Sequence, residues 1–351
     1  MAACTGTISS LADVAAAVAC TTVNINGFTV PAGSTFTLNL LAGTTVNLRK
    51  TRVVGDITFG TKNWAGPLFA INGASVTFNG NGHTFDGNGA FYWDGLGSGT
   101  GASTKPRPMM KVKISGFFSN VNVLNSPAQV YSIDNVAPLV ISQLTIDNTA
   151  GDAPNSISNG QPAARNTDGF DVGIQAPLTI QSSTIKNQDD CIAINDGSNI
   201  LFTNNTCCGG HGISIGSIDS GVVVSNITIT NNVVTNSAQA FRIKTEATAT
   251  GSSVSGVTYS GNRASGLTSF GVIIDQSYPS TLGTPGSGVA ISDIDFSGGA
   301  NTVAINSGVT RVAVNCGSGS CSGSWDWSAL TMRGGVAGEI NYAGITGFTN
   351  P

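Results

Sequence analysis

Residues 188–194 read Gln188-Asp189-Asp190-Cys191-Ile192-Ala193-Ile194. Two adjacent carboxylates stand before a short apolar run, in a chain whose charged fraction is only 10%. The run recurs as Ile213-Ser214-Ile215, Phe241-Arg242-Ile243 and Val272-Ile273-Ile274, at a spacing of roughly 20–30 residues. A second series, Leu178-Thr179-Ile180, Leu201-Phe202-Thr203, Ile227-Thr228-Ile229 and Val257-Thr258-Tyr259, keeps step with it, each triplet leading into an Asn/Ser/Gly-rich turn. Segments this short are strands, since a helix needs a longer periodic stretch. One repeat cannot bury its own apolar face, whereas stacked repeats can. The predicted fold is therefore all-β, a parallel β-helix (solenoid). A β-sandwich also has short strands and many turns, but its antiparallel hairpins do not repeat paired strands in the same order.

Stacking brings chemistry together. Asp168, Asp190 and His211 each lie four residues ahead of an apolar strand position, Val172, Ile194 and Ile215. Successive coils are about 4.8 Å apart, so the three are predicted to form a column with Asp189 beside it. One coil on, Arg242 and Lys244 flank Ile243 and project from the same face of their strand. Tyr278 follows on a Ser-Tyr-Pro turn. Carboxylates crowded together cannot all ionise independently, so one stays an acid while another serves as base. Glycosidic hydrolysis needs that pair, and two cations with an imidazole would receive an anionic sugar. By contrast, Asp86-Gly87, Asp94-Gly95 and Asp196-Gly197 read as turns, Asp171 as an orienting residue, and Trp93, Trp325 and Trp327 as packing.

Toward the start of the chain, strand patterns appear at Val23-Asn24-Ile25, Phe36-Thr37-Leu38 and Val76-Thr77-Phe78. Before them residues 9–19 predict the one helix, capped by Ser9 or Ser10 and pinned by Cys4 and Cys20. No linker divides the 351 residues, so the expected organisation is a single domain, 1–351, with a cap segment at 1–22 and the site on coils 160–280. A formal net charge of −4 without a basic block argues against nucleic acid. No apolar run approaches the ~20 residues a membrane helix requires. Seven cysteines suggest Cys4–Cys20, Cys316–Cys321, and Cys191 with Cys207 or Cys208, leaving one over. None has a zinc-site spacing. Sequons at Asn204 and Asn226 agree with secretion, and Met1-Ala2-Ala3 reads as a mature start with an added Met.

The combination Asn166-Thr167-Asp168-Gly169, Gln188-Asp189-Asp190-Cys191, Gly210-His211-Gly212 and Arg242-Ile243-Lys244 resembles the four signatures of the polygalacturonases, glycoside hydrolase family 28. Gln276-Ser277-Tyr278, Phe91-Tyr92-Trp93-Asp94-Gly95 and Leu124-Asn125-Ser126-Pro127 extend the similarity across most of the chain, nearest to secreted fungal endo-acting members. The resemblance implies a right-handed parallel β-helix and inverting hydrolysis of α-1,4-linked galacturonan. It makes Asp189 the general acid, Asp168 and Asp190 the water-holding pair, and His211 a tuner of the acid that touches the sugar. Arg242 and Lys244 would bind substrate carboxylate, Asn166 would contact substrate, and Tyr278 would shape the cleft. It further implies no cofactor or metal, a monomer acting on pectin polygalacturonate outside the cell, and a Cys191–Cys207 bond that leaves Cys208 free. Cys208 and a rather long loop at 155–165 depart from the family pattern, as does the lack of a further C-terminal cysteine pair, whose work falls to packing. The alternatives within the class are exo-acting, rhamnogalacturonan or xylogalacturonan hydrolysis. Outside it stand a calcium-dependent pectate lyase, which needs an oxygen cage for its ion, and a non-catalytic β-helix binding module.

Overall fold

Short β-branched and aromatic triplets separated by Asn and Gly do form strands here, and the strands pair in parallel. The computed structural model describes residues 4–49, 56–173 and 176–349, so Met1 to Ala3 lie outside the described residues. The chain folds as the right-handed parallel β-helix expected of it, with one short helix. Its residues group into two compact units, Met1–Asp171 with Ser182–Asp189, and Val172–Gln181 with Asp190–Pro351.

In the first unit the strand Thr5–Ile8 pairs with Thr22–Asn26, which pairs with Thr45–Arg49. The long strands Phe69–Asp86 and Met110–Leu124 continue the stack. Register lines up Val23, Val46, Phe78, Phe118 and Ile141, all fully buried. Phe78 and Phe118 stack with ring centroids 4.6 Å apart, close to the inter-strand spacing. The N-terminal helix is shorter than the sequence predicts. A 3-10 turn, Leu11–Asp13, runs into a single α-turn, Val14–Ala17. The serines do not cap it; Asp13 instead accepts hydrogen bonds from the Ser9 N–H at 3.0 Å and the Ser10 hydroxyl at 2.9 Å. Ala17 lies against Gly6, where a Cβ would come within 2.5 Å of the Ala17 backbone. The chain then turns back through the Cys4–Cys20 bond, which leaves no room for a second turn of helix.

In the second unit one wall carries Ile192, Ile213, Phe241, Val272 and Val312 in register, and two residues on Ile194, Ile215, Ile243, Ile274 and Val314. The first four are the triplets the sequence aligned, and Val312 to Val314 extends the series. On the other wall one triplet is out by a residue: Leu178-Thr179-Ile180 pairs with Ile200-Leu201-Phe202, not with Leu201-Phe202-Thr203. Ile200 and Phe202 are buried and Leu201 is half-buried. A one-residue slip would turn that alternation inside out, so the core fixes the register. At one bend of this unit four buried asparagines follow one another. The backbone N–H and the Nδ2 of Asn205 both donate to Asn232 Oδ1. Asn232 does the same to Asn262, and Asn262 to Asn301. Each Nδ2 also donates to the carbonyl of an earlier strand, at Ile180, Phe202, Ile229 and Tyr259 in turn. Farther along, Trp325 and Trp327 are fully buried, with Trp325 against Tyr342 and Trp327 between Phe296 and Phe348.

Candidate active site

The site residues sit where turns deliver the chain into strands. In the first unit, Asp168 and Asp189 each precede a strand or its turn and are 9% and 7% exposed. The Asp168 carbonyl accepts the N–H of Val130 at 2.9 Å. Thr167, fully buried, donates its hydroxyl to Gln188 Oε1 and accepts the Gln188 N–H, both at 2.8 Å. Asn187 donates to the carbonyls of Thr167 at 2.9 Å and Asp189 at 3.1 Å. Gln188 reaches on to Asn148 and Asp152. Two turns are thereby stitched together by side chains, which fixes the backbone that carries Asp168 and Asp189. Asn166 adopts a left-handed φ of 54°, tolerable for Asn. Its Nδ2 donates to Asp189 Oδ2 at 2.9 Å, and its Oδ1 accepts from the Ser98 N–H at 3.0 Å. Both ends of an amide assigned to substrate are thus engaged within the protein.

In the second unit, Asp190 is fully buried. Its Oδ1 accepts from the Ser214 hydroxyl at 2.6 Å and its Oδ2 from the Lys244 ammonium at 2.7 Å. A carboxylate accepting at both oxygens has the hydrogen-bonding pattern of an ionised group. The Cys191 N–H donates to the Gly212 carbonyl at 2.8 Å, and the register Ile192↔Ile213 sets Asp190 over His211. A carboxylate oxygen of Asp190 and a ring nitrogen of His211 lie within 4.8 Å. Gly212 has φ +76°, and a Cβ there would stand 2.0 Å from the Gln239 carbonyl, so only glycine lets the coils close. Cys191 bonds to Cys207. Cys207 is buried in the pleat while Cys208 next to it is half-buried and unbonded; Cys316 and Cys321 form the third bond.

Arg242 and Lys244 do share a face, with Ile243 buried between them. Both face the Tyr278 ring, the guanidinium 5.7 Å and the ammonium 5.3 Å from its centroid. Coil spacing sets the Lys244 backbone away from Asp190, and its long side chain spans that gap to make a buried ion pair with it. Next along the strand, burial raises the pKa of Glu246, and the Asp219 charge adds to the effect. Gln276, read as part of a substrate segment, is fully buried and donates to the Val289 carbonyl while accepting from Gly317 and Ser320. The sequons at Asn204 and Asn226 are exposed, although Asn226 Nδ2 donates to Asn199 at 2.6 Å.

Several participants escaped the sequence. Asn148, Asn187 and Ser98 carry no motif of their own, and Asp94 was read as a turn residue. Asp94 does fold a turn, accepting the Leu96 N–H at 3.0 Å, but it also binds Lys105 at 2.7 Å and both donors of Ser103. Burial alone would raise its pKa; the hydrogen bonds from Lys105, Ser103 and Leu96 outweigh it and hold the carboxyl at about 2. For calcium the Asp190–His211 pair is a poor donor set, since calcium takes oxygen ligands and Asp190 already pairs with an ammonium.

Comparison with known proteins gives the same direction. The model of "Glycosyl hydrolases family 28" matches residues 20–349. The chain is 40% identical over 339 residues to endopolygalacturonase B of Emericella nidulans, covering 95% of this chain and 87% of that protein. To an endo-polygalacturonase of Sclerotinia sclerotiorum it is 44% identical over 324 residues, covering 90% and 80%. Among solved structures, endopolygalacturonase I from Stereum purpureum, complexed with two galacturonate, superposes with a TM-score of 0.89 at 49% identity, covering 97% of this chain and 98% of that one.

Proposed function

This chain belongs to glycosyl hydrolase family 28, and we propose that it works as an extracellular inverting hydrolase on that footing, with residues 1–351 acting as one catalytic domain. It is an endopolygalacturonase, cutting α-1,4-galacturonosidic bonds within polygalacturonate. The observation that carries the assignment of the site is the burial of three carboxylates, Asp168, Asp189 and Asp190, in a chain with only 19 Asp and Glu. Buried carboxylates are costly unless they are paired or put to use.

Asp189 serves as general acid, giving its proton to the glycosidic oxygen as the bond breaks. Asp190, accepting from Lys244 and Ser214, acts with Asp168 to hold a water on the opposite face of the sugar and remove its proton. The two roles need opposite protonation states, and the different partners of Asp189 and Asp190 supply different surroundings. His211 contacts the sugar and tunes the acid. Arg242 offers a two-pronged contact to a substrate carboxylate, with Tyr278 shaping the cleft beside it and Lys244 contributing its charge from the Asp190 side. Secretion and a monomeric state complete the proposal; exposed Asn204 and Asn226 support the first as glycan acceptors. No helix among the described residues is long and apolar enough to cross a membrane.

The test is digestion of polygalacturonate with analysis of products. Long early oligomers with new reducing ends, no unsaturated uronate, and activity undiminished by chelator are expected, with the β anomer appearing first by NMR. Unsaturated products that require calcium would instead identify a lyase. Release of only monomer or dimer would identify exo action.

A further inference from the structure

We propose that the loop from Asp94 to Lys105 is a positioning device for Asp189, fixing the orientation of the Asn166 amide and, through it, the oxygen of Asp189 that carries the catalytic proton. This rests on the reading of Asp189 as general acid and adds residues that reading does not require. All of them lie in the first unit.

The device turns on one peptide group. Lys105 is only 4% exposed. Its ammonium donates to Asp94 Oδ1 at 2.7 Å and to the Gly97 carbonyl at 2.6 Å. The Gly97 C=O and the Ser98 N–H belong to the same planar unit and point in opposite directions. With the carbonyl pinned by Lys105, the N–H is aimed at Asn166 Oδ1, 3.0 Å away. The Ser98 hydroxyl adds a second contact at 3.3 Å. A backbone N–H only donates, so the amide end facing it must be the oxygen, and the opposite end must be the NH2. That NH2 donates to Asp189 Oδ2 at 2.9 Å. A flipped amide would set donor against donor at Ser98 and acceptor against acceptor at Asp189.

An N–H donor favours the carbonyl-like oxygen of a protonated carboxyl group, the stronger acceptor of its two oxygens. The proton of Asp189 is thereby assigned to Oδ1. General acid catalysis requires the proton to lie within hydrogen-bond reach of the leaving oxygen, and a carboxyl whose proton alternates between two oxygens presents it only part of the time. Gly97 completes the fit. Its φ is +62°, and a Cβ there would lie 2.3 Å from Asn166 Oδ1, so the close approach demands glycine. Asp94, held by Leu96 and Ser103 as well as Lys105, anchors the far side of the loop.

The experiment compares two leaving groups. Polygalacturonate releases an alkoxide that needs a proton, whereas the nitrophenyl glycoside of a galacturonate trimer releases a phenolate that does not. Lys105→Met and Gly97→Ala are expected to lower kcat on polygalacturonate by about 10-fold or more, with KM changed by less than about 2-fold, because the loss falls on the transition state. On the nitrophenyl substrate the kcat deficit is expected to shrink to about 2-fold, as it should also shrink markedly for Asp189→Asn. Lys113→Met, which breaks the exposed ion pair with Asp134 in the same unit, is expected to match wild type on both substrates. A loop that merely stabilises the fold would give equal deficits on both. Deficits that are equal on the two substrates, or wild-type kcat in both loop variants, overturn the proposal; should Lys105→Met not fold, Gly97→Ala, which leaves the ion pair intact, decides alone. Rescue of Asp189→Asn without rescue of the loop variants refutes the loop's role only. Failure of Asp189→Asn to be rescued refutes the acid assignment and the loop's role with it.

Discussion

Replacing Lys244 by Met tests whether its charge belongs to the protein or to the substrate. The ammonium lies 2.7 Å from Asp190 Oδ2, with side-chain exposures of 10% and 0%. Removing it leaves a buried carboxylate that keeps the Ser214 hydroxyl on its other oxygen but loses this ammonium. Breaking a buried pair by deleting one partner costs about 3–5 kcal/mol, whereas an exposed pair is worth about 0–1 kcal/mol. Asp190→Asn removes the carboxylate that the ammonium pairs with. The double variant removes both charges, so its loss should fall well short of the sum, by about 0.5–3 kcal/mol for residues in contact. The assay is urea unfolding of the two single variants and the double, with kcat and KM measured on each. Turnover of Lys244→Met should fall by about 10–150-fold, the equivalent of a charge-assisted hydrogen bond of about 1.5–3 kcal/mol, because Asp190 loses the group that holds it. A loss below about 1 kcal/mol, additivity in the cycle, and a change confined to KM would together refute this. Lys244 would then be a free grip for substrate.

Arg242→Ala, whose guanidinium faces Tyr278 and solvent, should chiefly raise KM, by about 10–150-fold, and blunt the salt dependence of binding; a salt titration of KM checks it. Asp94 has its pKa lowered from the ordinary 3.8 to about 2, so its contribution to stability is present above about pH 4 and is lost as pH falls through about 2. Thermal melts of wild type across that window should show a drop that is smaller in Lys105→Met, where the bonds from Ser103 and Leu96 remain. Thiol titration of the unfolded, unreduced protein should find one equivalent, from Cys208; a blocked thiol or three equivalents would contradict the pairing. Asn232→Leu strands backbone groups at Asn205 and Phe202, at about 1–3 kcal/mol for each, which urea unfolding should register as a loss of about 2–6 kcal/mol.

Periodicity made much of the fold legible. The wall from Ile192 to Val272 aligned correctly because every triplet carries a bulky apolar residue at its first and third positions, and these fall in register. Leu201 was misplaced because Ile200-Leu201-Phe202-Thr203 is apolar or neutral at every position, so the sequence offers no inward and outward contrast. The helix was overestimated because alanines promise propagation, while the turn back to Cys4 stops it. At the site, the motif residues announced themselves by residue type and spacing. Their supports did not: Lys244 meets Asp190 across 54 residues and Asn166 meets Ser98 across 68. Such partners depend on side-chain reach between coils, which no local pattern encodes. Asparagine is common enough in turns that the series from Asn205 to Asn301 is invisible until the coils are stacked.

That series has a direction, and the direction matters while the chain is being made. The N–H of Asn205 waits for the side chain of Asn232, 27 residues later, that of Asn232 for Asn262, 30 later, and that of Asn262 for Asn301, 39 later. At synthesis rates of about 5–20 residues per second, each bend stays open for seconds. Each of these three bends therefore leaves the ribosome unfinished and is locked by its successor. A nascent chain halted before Asn301 would have its last bend still exposed to water and proteases, and the order of closure would follow the order of translation.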